Sequence, residues 1–271
     1  MKSKQDPENQ TPTFVTYKNA QIHYIDQGAG AAVVLLHGFL ENVSMWKVIS
    51  GEISKSKRVV GIDLLGHGLS ENVGYVHSME QMAESVRAVL RYLRIRKYVF
   101  VGHSMGGYVA LAFAKLYPTT VKGLCLLNST AQADGPEKKV NRERAISMVK
   151  KKHHSFIRNA IPMLFSSKNK DLFRAEIELV KKEALKTSKQ GVIAALEGMK
   201  NRRDQTVLFK QGPFTKMAIL GKKDPVLELR NTLRQFEDKG IKIIQLSGGH
   251  MSHIENKEGT IAALVQFVKQ C

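Results

Sequence analysis

The stretch YVFVGHSMGGYVALAF, residues 98–113, constrains the fold more than any other part of this chain. A continuous apolar run ends at Gly102, a serine stands between Gly102 and Gly106, and small apolar residues then resume at helical spacing. A run with no polar face reads as a strand buried on both sides, as strands of parallel sheets are. A strand that turns directly into a helix is half of a βαβ unit, which places the chain in the α/β class. The cadence recurs. AAVVLLHG and KRVVGIDLLGHG predict further buried strands, and TVKGLCLLN, KMAILG and KIIQL predict further strands. SMWKVISGEI, SMEQMAESVRAVLRYLRI, VLELRNTLRQFEDKG and GTIAALVQFVKQ predict the helices between and after them. Ser78 is placed to cap the second of these, with Gln81 at the capping-box position. Ahead of them, TFVTYKNAQIHYIDQG alternates apolar and polar residues around Lys18-Asn19, the pattern of a hairpin with one half-exposed face.

The alternation stops after Asn128 and returns near Lys216. Residues 131–206 hold no convincing strand and read as four charged helices near 137–152, 154–165, 170–186 and 189–202. The expected organisation is a polar, disordered tail over 1–11, an α/β core over 12–130 and 207–271, and a helical cap over 131–206. With 271 residues and 43% hydrophobic content, the chain can bury a sizeable core. Lys and Arg outnumber Asp and Glu by 42 to 24, and 134–212 alone carries 19 against 9. Such a surplus can attract acidic partners or membrane surfaces, or it can be a solvated helical face. Lysines scattered rather than interleaved with aromatics favour the second reading, and no zinc, helix-turn-helix or RNA-binding signature is present, so no nucleic-acid partner is expected. No apolar run reaches 18 residues, so no integral membrane association is expected. The N-terminus lacks an apolar segment behind its lysines, which points to a cytoplasmic protein. Cys125 reads as a small core residue and Cys271 as a frayed chain end, without a disulfide between them. Oligomeric state is unknown at this level.

The chemistry gathers at strand ends. Ser104 sits at a tight strand-to-helix turn that lifts its hydroxyl out of the sheet, and the residues two before and two after it must be small to pass each other. A serine hydroxyl needs a base to take its proton, and the base needs a carboxylate to orient it. Downstream, Asp224 lies just beyond the strand KMAILG, and His250 lies beyond the next, in a Gly-Gly loop. Both occupy the carboxyl ends of strands, where α/β sheets bind ligands. Asp134 is a rival acid and His253 a rival base, each further from its strand. A developing oxyanion needs two N–H donors; the backbone amides of Phe39, after the turn at His37-Gly38, and Met105, at a helix N-terminus, are placed to supply them. His37 reads as a loop-bracing residue, and Asp63 and His67 as turn chemistry. No His, Cys, Asp or Glu set has metal-ligand spacing, and the reading requires no cofactor. Phe156, Ile161, Met163, Leu164 and Phe165 either line a pocket or pack on the core.

LLHGFLENVSMW, VVGIDLLGHGLS, VGHSMGG, ILGKKDPV and GGHMSHIE, in this order, resemble the α/β-hydrolase superfamily, in particular its capped serine esterase, lipase and C–C hydrolase branch. The resemblance covers the chain from about residue 13 onward. It implies an eight-stranded, mostly parallel sheet flanked by helices, with a helical lid inserted over 131–206. It assigns Ser104 as nucleophile, Asp224 as acid, His250 as base, and the Phe39 and Met105 amides as oxyanion hole. Dehalogenases of this superfamily carry Asp where Ser104 stands, and many C–C hydrolases carry Asn where His103 stands, so the residues look more like those of esterases. The expectation is a serine hydrolase that cleaves carboxylic esters through an acyl-enzyme, acting on a small-molecule ester or related acyl substrate. C–C hydrolysis, lyase or perhydrolase chemistry on the same residues, or a non-catalytic ligand-binding protein of this fold, are the alternatives.

Overall fold

The computed structural model describes residues 12–237 and 240–271, and the tail expected over 1–11 lies outside the described residues. The eight strands among the described residues are β1 (Thr13–Tyr17), β2 (Ala20–Gln27), β3 (Ala32–Leu36), β4 (Arg58–Ile62), β5 (Tyr98–His103), β6 (Val121–Leu127), β7 (Thr215–Gly221) and β8 (Ile241–Leu246). They form one sheet in the order β1-β2-β4-β3-β5-β6-β7-β8. β2 is antiparallel to both β1 and β4, and every pairing from β4 through β3 to β8 is parallel. The β1–β2 turn puts Lys18 and Asn19 at φ of 47° and 66°. Two successive left-handed residues are what a two-residue hairpin turn requires to match the strand twist.

Parallel neighbours need crossovers, and helices supply them. α1 (Lys47–Ile53) follows β3, α2 (Met79–Tyr92) follows β4, and α3 (Met105–Leu116) follows β5. Ser78 caps α2 by accepting from the Gln81 N–H at 3.0 Å. Between β6 and β7 stand α4 (Pro136–Ala160), α5 (Arg174–Ala184), α6 (Lys189–Lys200) and α7 (Thr206–Gln211). The break expected after residue 152 is a kink inside α4, where Lys152 adopts φ −142° and ψ 62°. α5 begins later than periodicity predicts, because a short 3-10 turn over Ser167–Asn169 precedes it. α8 (Leu229–Phe236) joins β7 to β8, and α9 (Ser252–Glu255) and α10 (Lys257–Gln270) close the chain.

Side-chain alternation divides each central strand between two cores. Val34, Leu36, Val60, Ile62, Phe100 and Leu126 face one side, where α2 and α3 cover them. Val33, Leu35, Val59, Val101, Cys125 and Leu127 face the other, against Trp46, Ile49 and Ile53 near α1 and Leu264 and Phe267 of α10. Ile161 and Phe165 are buried against the first core, with Phe156 and Leu164 half-buried beside them, whereas Met163 is exposed. Cys271 is not frayed: its Sγ contacts Gly123 and donates to the Phe267 carbonyl at 3.5 Å. Cys125 and Cys271 are both free thiols. Among the described residues, no helix is long and apolar enough to cross a membrane.

Candidate active site

The sheet's carboxyl edge gathers side chains from distant parts of the chain. Ser104 stands between β5 and α3 with φ 48° and ψ −113°, a backbone state that a residue with a Cβ adopts only under constraint. Such a residue costs on the order of 1–3 kcal/mol and persists where the surroundings over-determine it. Here they do. The Ser104 N–H donates to the Leu127 carbonyl at 3.0 Å, and its carbonyl accepts from Gly107 N–H at 3.0 Å and from Ser129 Oγ at 2.7 Å. The flanking glycines are required by contact. A Cβ on Gly102 would lie 2.5 Å from the Gly106 carbonyl carbon, and one on Gly106 would meet the carbonyl oxygens of Leu36 and His37.

Above this turn, the Ser104 hydroxyl lies 2.8 Å from Nε2 of His250. On the far side of the ring, His250 Nδ1 lies 2.8 Å from Asp224 Oδ2. A carboxylate only accepts, so the proton sits on Nδ1 and Nε2 offers its lone pair to the hydroxyl. The structure thus brings together the three residues that sequence analysis singled out, across 146 positions between serine and imidazole. Asp224 is anchored in turn. Its Oδ1 accepts from the Val226 and Leu227 N–H groups at 2.8 and 3.0 Å, and its Oδ2 accepts from Asn128 Nδ2 at 3.0 Å. Burial alone would raise its pKa; attraction to the imidazole and these hydrogen bonds outweigh burial and hold the carboxyl below its usual range. The rival acid Asp134 is engaged elsewhere, in ion pairs with Arg142 and Arg202. The rival base His253 is buried 3.6 Å from Glu41 Oε1, and burial drives its pKa down to about 4.

Met105 opens α3, so its N–H has no acceptor within the helix. The Phe39 N–H follows the His37-Gly38 turn and has no backbone acceptor among the described residues. His37 is fully buried; its Nε2 accepts from the Leu64 N–H at 2.9 Å, and its Nδ1–H donates to the Gly38 carbonyl at 2.7 Å. Asp63 accepts from His23 Nδ1 and from the N–H groups of Val43 and Leu69.

Several residues at the site escaped sequence analysis. Asn128 and Ser129 brace the acid and the serine from the end of β6. Glu255 accepts from the N–H groups of Gly249 and Ser166 and from Asn169 Nδ2, joining the histidine loop to the helical insertion. Glu41 is buried and accepts from the Gly38 N–H at 2.7 Å and from His103 Nδ1 at 2.6 Å. Metal-type ligands meet here without any signature in linear spacing: one atom each of Glu41, His103 and His253 lie within 4.8 Å of one another. Two of these residues, His103 and Glu41, share the 2.6 Å hydrogen bond between Nδ1 and Oε2.

Comparison with known proteins agrees with this architecture. The model of the alpha/beta hydrolase fold family matches residues 31–257. Among solved structures, a thermophilic esterase from Thermogutta terrifontis superposes with a TM-score of 0.90 at 29% identity, over 96% of this chain and 99% of that one. A 2-hydroxy-6-oxo-2,4-heptadienoate hydrolase of Pseudomonas putida is 32% identical over 108 residues, 38% of this chain and 39% of its own. Uncharacterised proteins of Mycobacterium tuberculosis and Mycobacterium bovis are 36% identical over 114 residues, 42% of this chain and 32% of theirs. The chain thus spans about a third of the length of these mycobacterial relatives.

Proposed function

The chain belongs to the alpha/beta hydrolase fold family, and from that premise we propose that it is a serine hydrolase that cleaves small carboxylic esters. The observation that carries this reading is the unbroken hydrogen-bonded line from Ser104 Oγ through His250 to Asp224. His250 Nε2 takes the proton as Ser104 Oγ attacks the acyl carbonyl, and Asp224 holds the ring's tautomer and steadies the imidazolium. The Phe39 and Met105 amides receive the oxyanion, each donor contributing on the order of 3 kcal/mol to the barrier reduction. His250 then returns its proton to the departing alcohol. Water, activated by the same nitrogen, releases the acid from Ser104. The strained serine supports this reading, since a residue that only packs has no need of such a backbone state. The helical insertion over 131–206 acts as the lid that shapes the substrate pocket. The likeness to the Thermogutta esterase over nearly both whole chains favours ester over C–C chemistry.

A fluorophosphonate probe tests the proposal together with a graded series of p-nitrophenyl esters and a vinylogous diketone. The expected result is labelling and ester hydrolysis by the wild-type protein, with both lost in Ser104→Ala by about 10⁴-fold or more. Folded wild-type protein that neither labels nor hydrolyses would overturn the proposal in favour of a binding role. Preferential turnover of the diketone would move it to C–C hydrolysis.

A further inference from the structure

We infer that Glu41 and His103 form a positioning pair that locks the oxyanion turn, the serine strand and the histidine loop into one arrangement; the inference rests on the serine hydrolase reading. The pair's contacts reach all three segments. Glu41 Oε2 accepts from the Gly38 N–H at 2.7 Å, one residue before the oxyanion donor Phe39. The same oxygen lies 2.6 Å from His103 Nδ1, on the residue that immediately precedes Ser104. His103 Nε2 in turn lies 3.0 Å from the main-chain carbonyl of His250. Each side chain is almost wholly buried, at 4% and 1% exposure, so water competes for none of these bonds.

Valence settles where the protons are. A carbonyl oxygen can only accept, so His103 Nε2 carries a hydrogen. Glu41 Oε2 already accepts from a backbone N–H, so the Nδ1 contact is best satisfied by a second imidazole hydrogen. His103 is then an imidazolium that donates at both ends, and Glu41 is its counter-charge. A neutral imidazole would turn a lone pair on the carboxylate, and an amide in place of the carboxylate would keep an accepting oxygen but lose the counter-charge of the imidazolium. The backbone conforms to the pair as well: a Cβ on Gly38 would lie 2.8 Å from His103 Nδ1 and would also meet the Glu41 carboxylate. The titratable groups facing the pair are His37 from the oxyanion turn, His250 and His253 from the histidine loop and α9, and Asp224 beyond β7. The His103 ring is centred 5.2 Å from both the His250 and His253 rings. Neither Glu41 nor His103 touches the hydroxyl line itself. Their effect is on where Phe39, Ser104 and His250 stand relative to one another, and misplacement of reacting groups by about 1 Å costs roughly 100-fold in rate.

The test combines kinetics with imidazole nitrogen NMR. In Glu41→Gln and His103→Gln, kcat and the rate of fluorophosphonate acylation are expected to fall about 10- to 100-fold while KM changes less than about twofold. The double variant is expected to be no slower than the slower single, because the two side chains act as one unit. Independently of activity, His103 in the wild-type protein is expected to keep two protonated ring nitrogens at neutral pH, where an ordinary imidazole has lost one, and to lose one of them there in Glu41→Gln. Unchanged kcat in folded variants, or additive losses, would overturn the inference while wild-type labelling keeps the hydrolase reading intact. Absence of wild-type labelling removes the reaction itself and with it both claims. Where Glu41→Gln fails to fold, the wild-type spectrum decides alone: a singly protonated His103 overturns the pairing.

Discussion

Asn128 shows how much one side chain beside the Ser104–His250–Asp224 line can hold in place. It ends β6 in a left-handed conformation, φ 44°, and its amide donates both to Asp224 Oδ2 and to the Gly249 carbonyl. Glycine tolerates that backbone, so Asn128→Gly deletes the amide without adding strain. One charge-assisted hydrogen bond to Asp224 disappears, and with it one of the influences that hold the carboxyl below its ordinary pKa. The expected outcome is about a tenfold loss in kcat/KM in folded protein, with KM changed less than kcat. An unchanged kcat/KM would show that Asn128 does not support the Asp224–His250 contact. Asn128 was invisible to sequence analysis for the reason Ser104 was not. The serine's constraint is local, two glycines within two residues at a strand–helix junction. The asparagine's partners lie 96 and 121 positions away. Glu41 is similar, since its partner His103 is 62 positions along the chain. Asp224 and His250 were legible because strand ends and turn residues mark them, although their distance from each other did not.

At the level of elements, the central strands were legible from their apolar runs, because burial on both faces leaves few polar positions, and the half-exposed edge strands from alternation or a short apolar run. The helical insertion was legible as helices but not as a set of contacts, since amphipathic faces do not name their partners. Its attachment to the histidine loop depends on Glu255. That carboxylate accepts from Gly249 N–H at 2.9 Å, Ser166 N–H at 3.1 Å and Asn169 Nδ2 at 2.8 Å. A fourth bond, from the His250 N–H to the Leu164 carbonyl at 2.9 Å, lies beside them. Three donors on one half-buried carboxylate make Glu255 the clasp between α9 and residues 164–169. Glu255→Ala leaves those donors to find water and is expected to destabilise the protein by about 2–3 kcal/mol. Hydrogen exchange is the sharper measurement. Amides over 164–169 and 248–250 are expected to exchange faster in the variant, while those of β5 and β6 keep their protection. Uniform acceleration across the sheet would mean that Glu255 supports the whole fold rather than this junction.

For the whole molecule, the distribution of buried histidines sets the response to acid. Burial drives His67 down to about 3 and His77 and His253 down to about 4, so all three are neutral in the folded protein near pH 6. The unfolded chain takes up these protons near pH 6.5. Above that value both states are neutral and nothing is lost; below it the unfolded state binds more protons, and stability falls with pH. Each histidine with a folded pKa of about 4 removes about 3 kcal/mol by pH 4, and the three together remove about 9, against a typical total of 5–15 kcal/mol. Glu41, held to about 2 because the charges of His103 and His253 overcome its burial, adds a further loss only below pH 4.5. His103 has the opposite sign. Burial opposes its charge, yet Glu41 outweighs burial and raises its pKa, so its contribution is whole below pH 6.5 and is lost as pH rises through the folded value. Stability should therefore peak near neutrality and fall steeply from pH 6.5 to 4.5. A net charge of +18 also favours acid unfolding through self-repulsion as carboxylates neutralise, but salt screens that effect and does not screen buried imidazoles. Urea midpoints measured across this range in 1 M salt isolate the histidines. His77→Gln, whose side-chain oxygen can still accept the Val73 N–H that His77 Nε2 accepts at 3.2 Å, is expected to reduce the slope by one proton's share, about 1.4 kcal/mol per pH unit. An unaltered slope in that variant would assign the acid transition to surface charge instead.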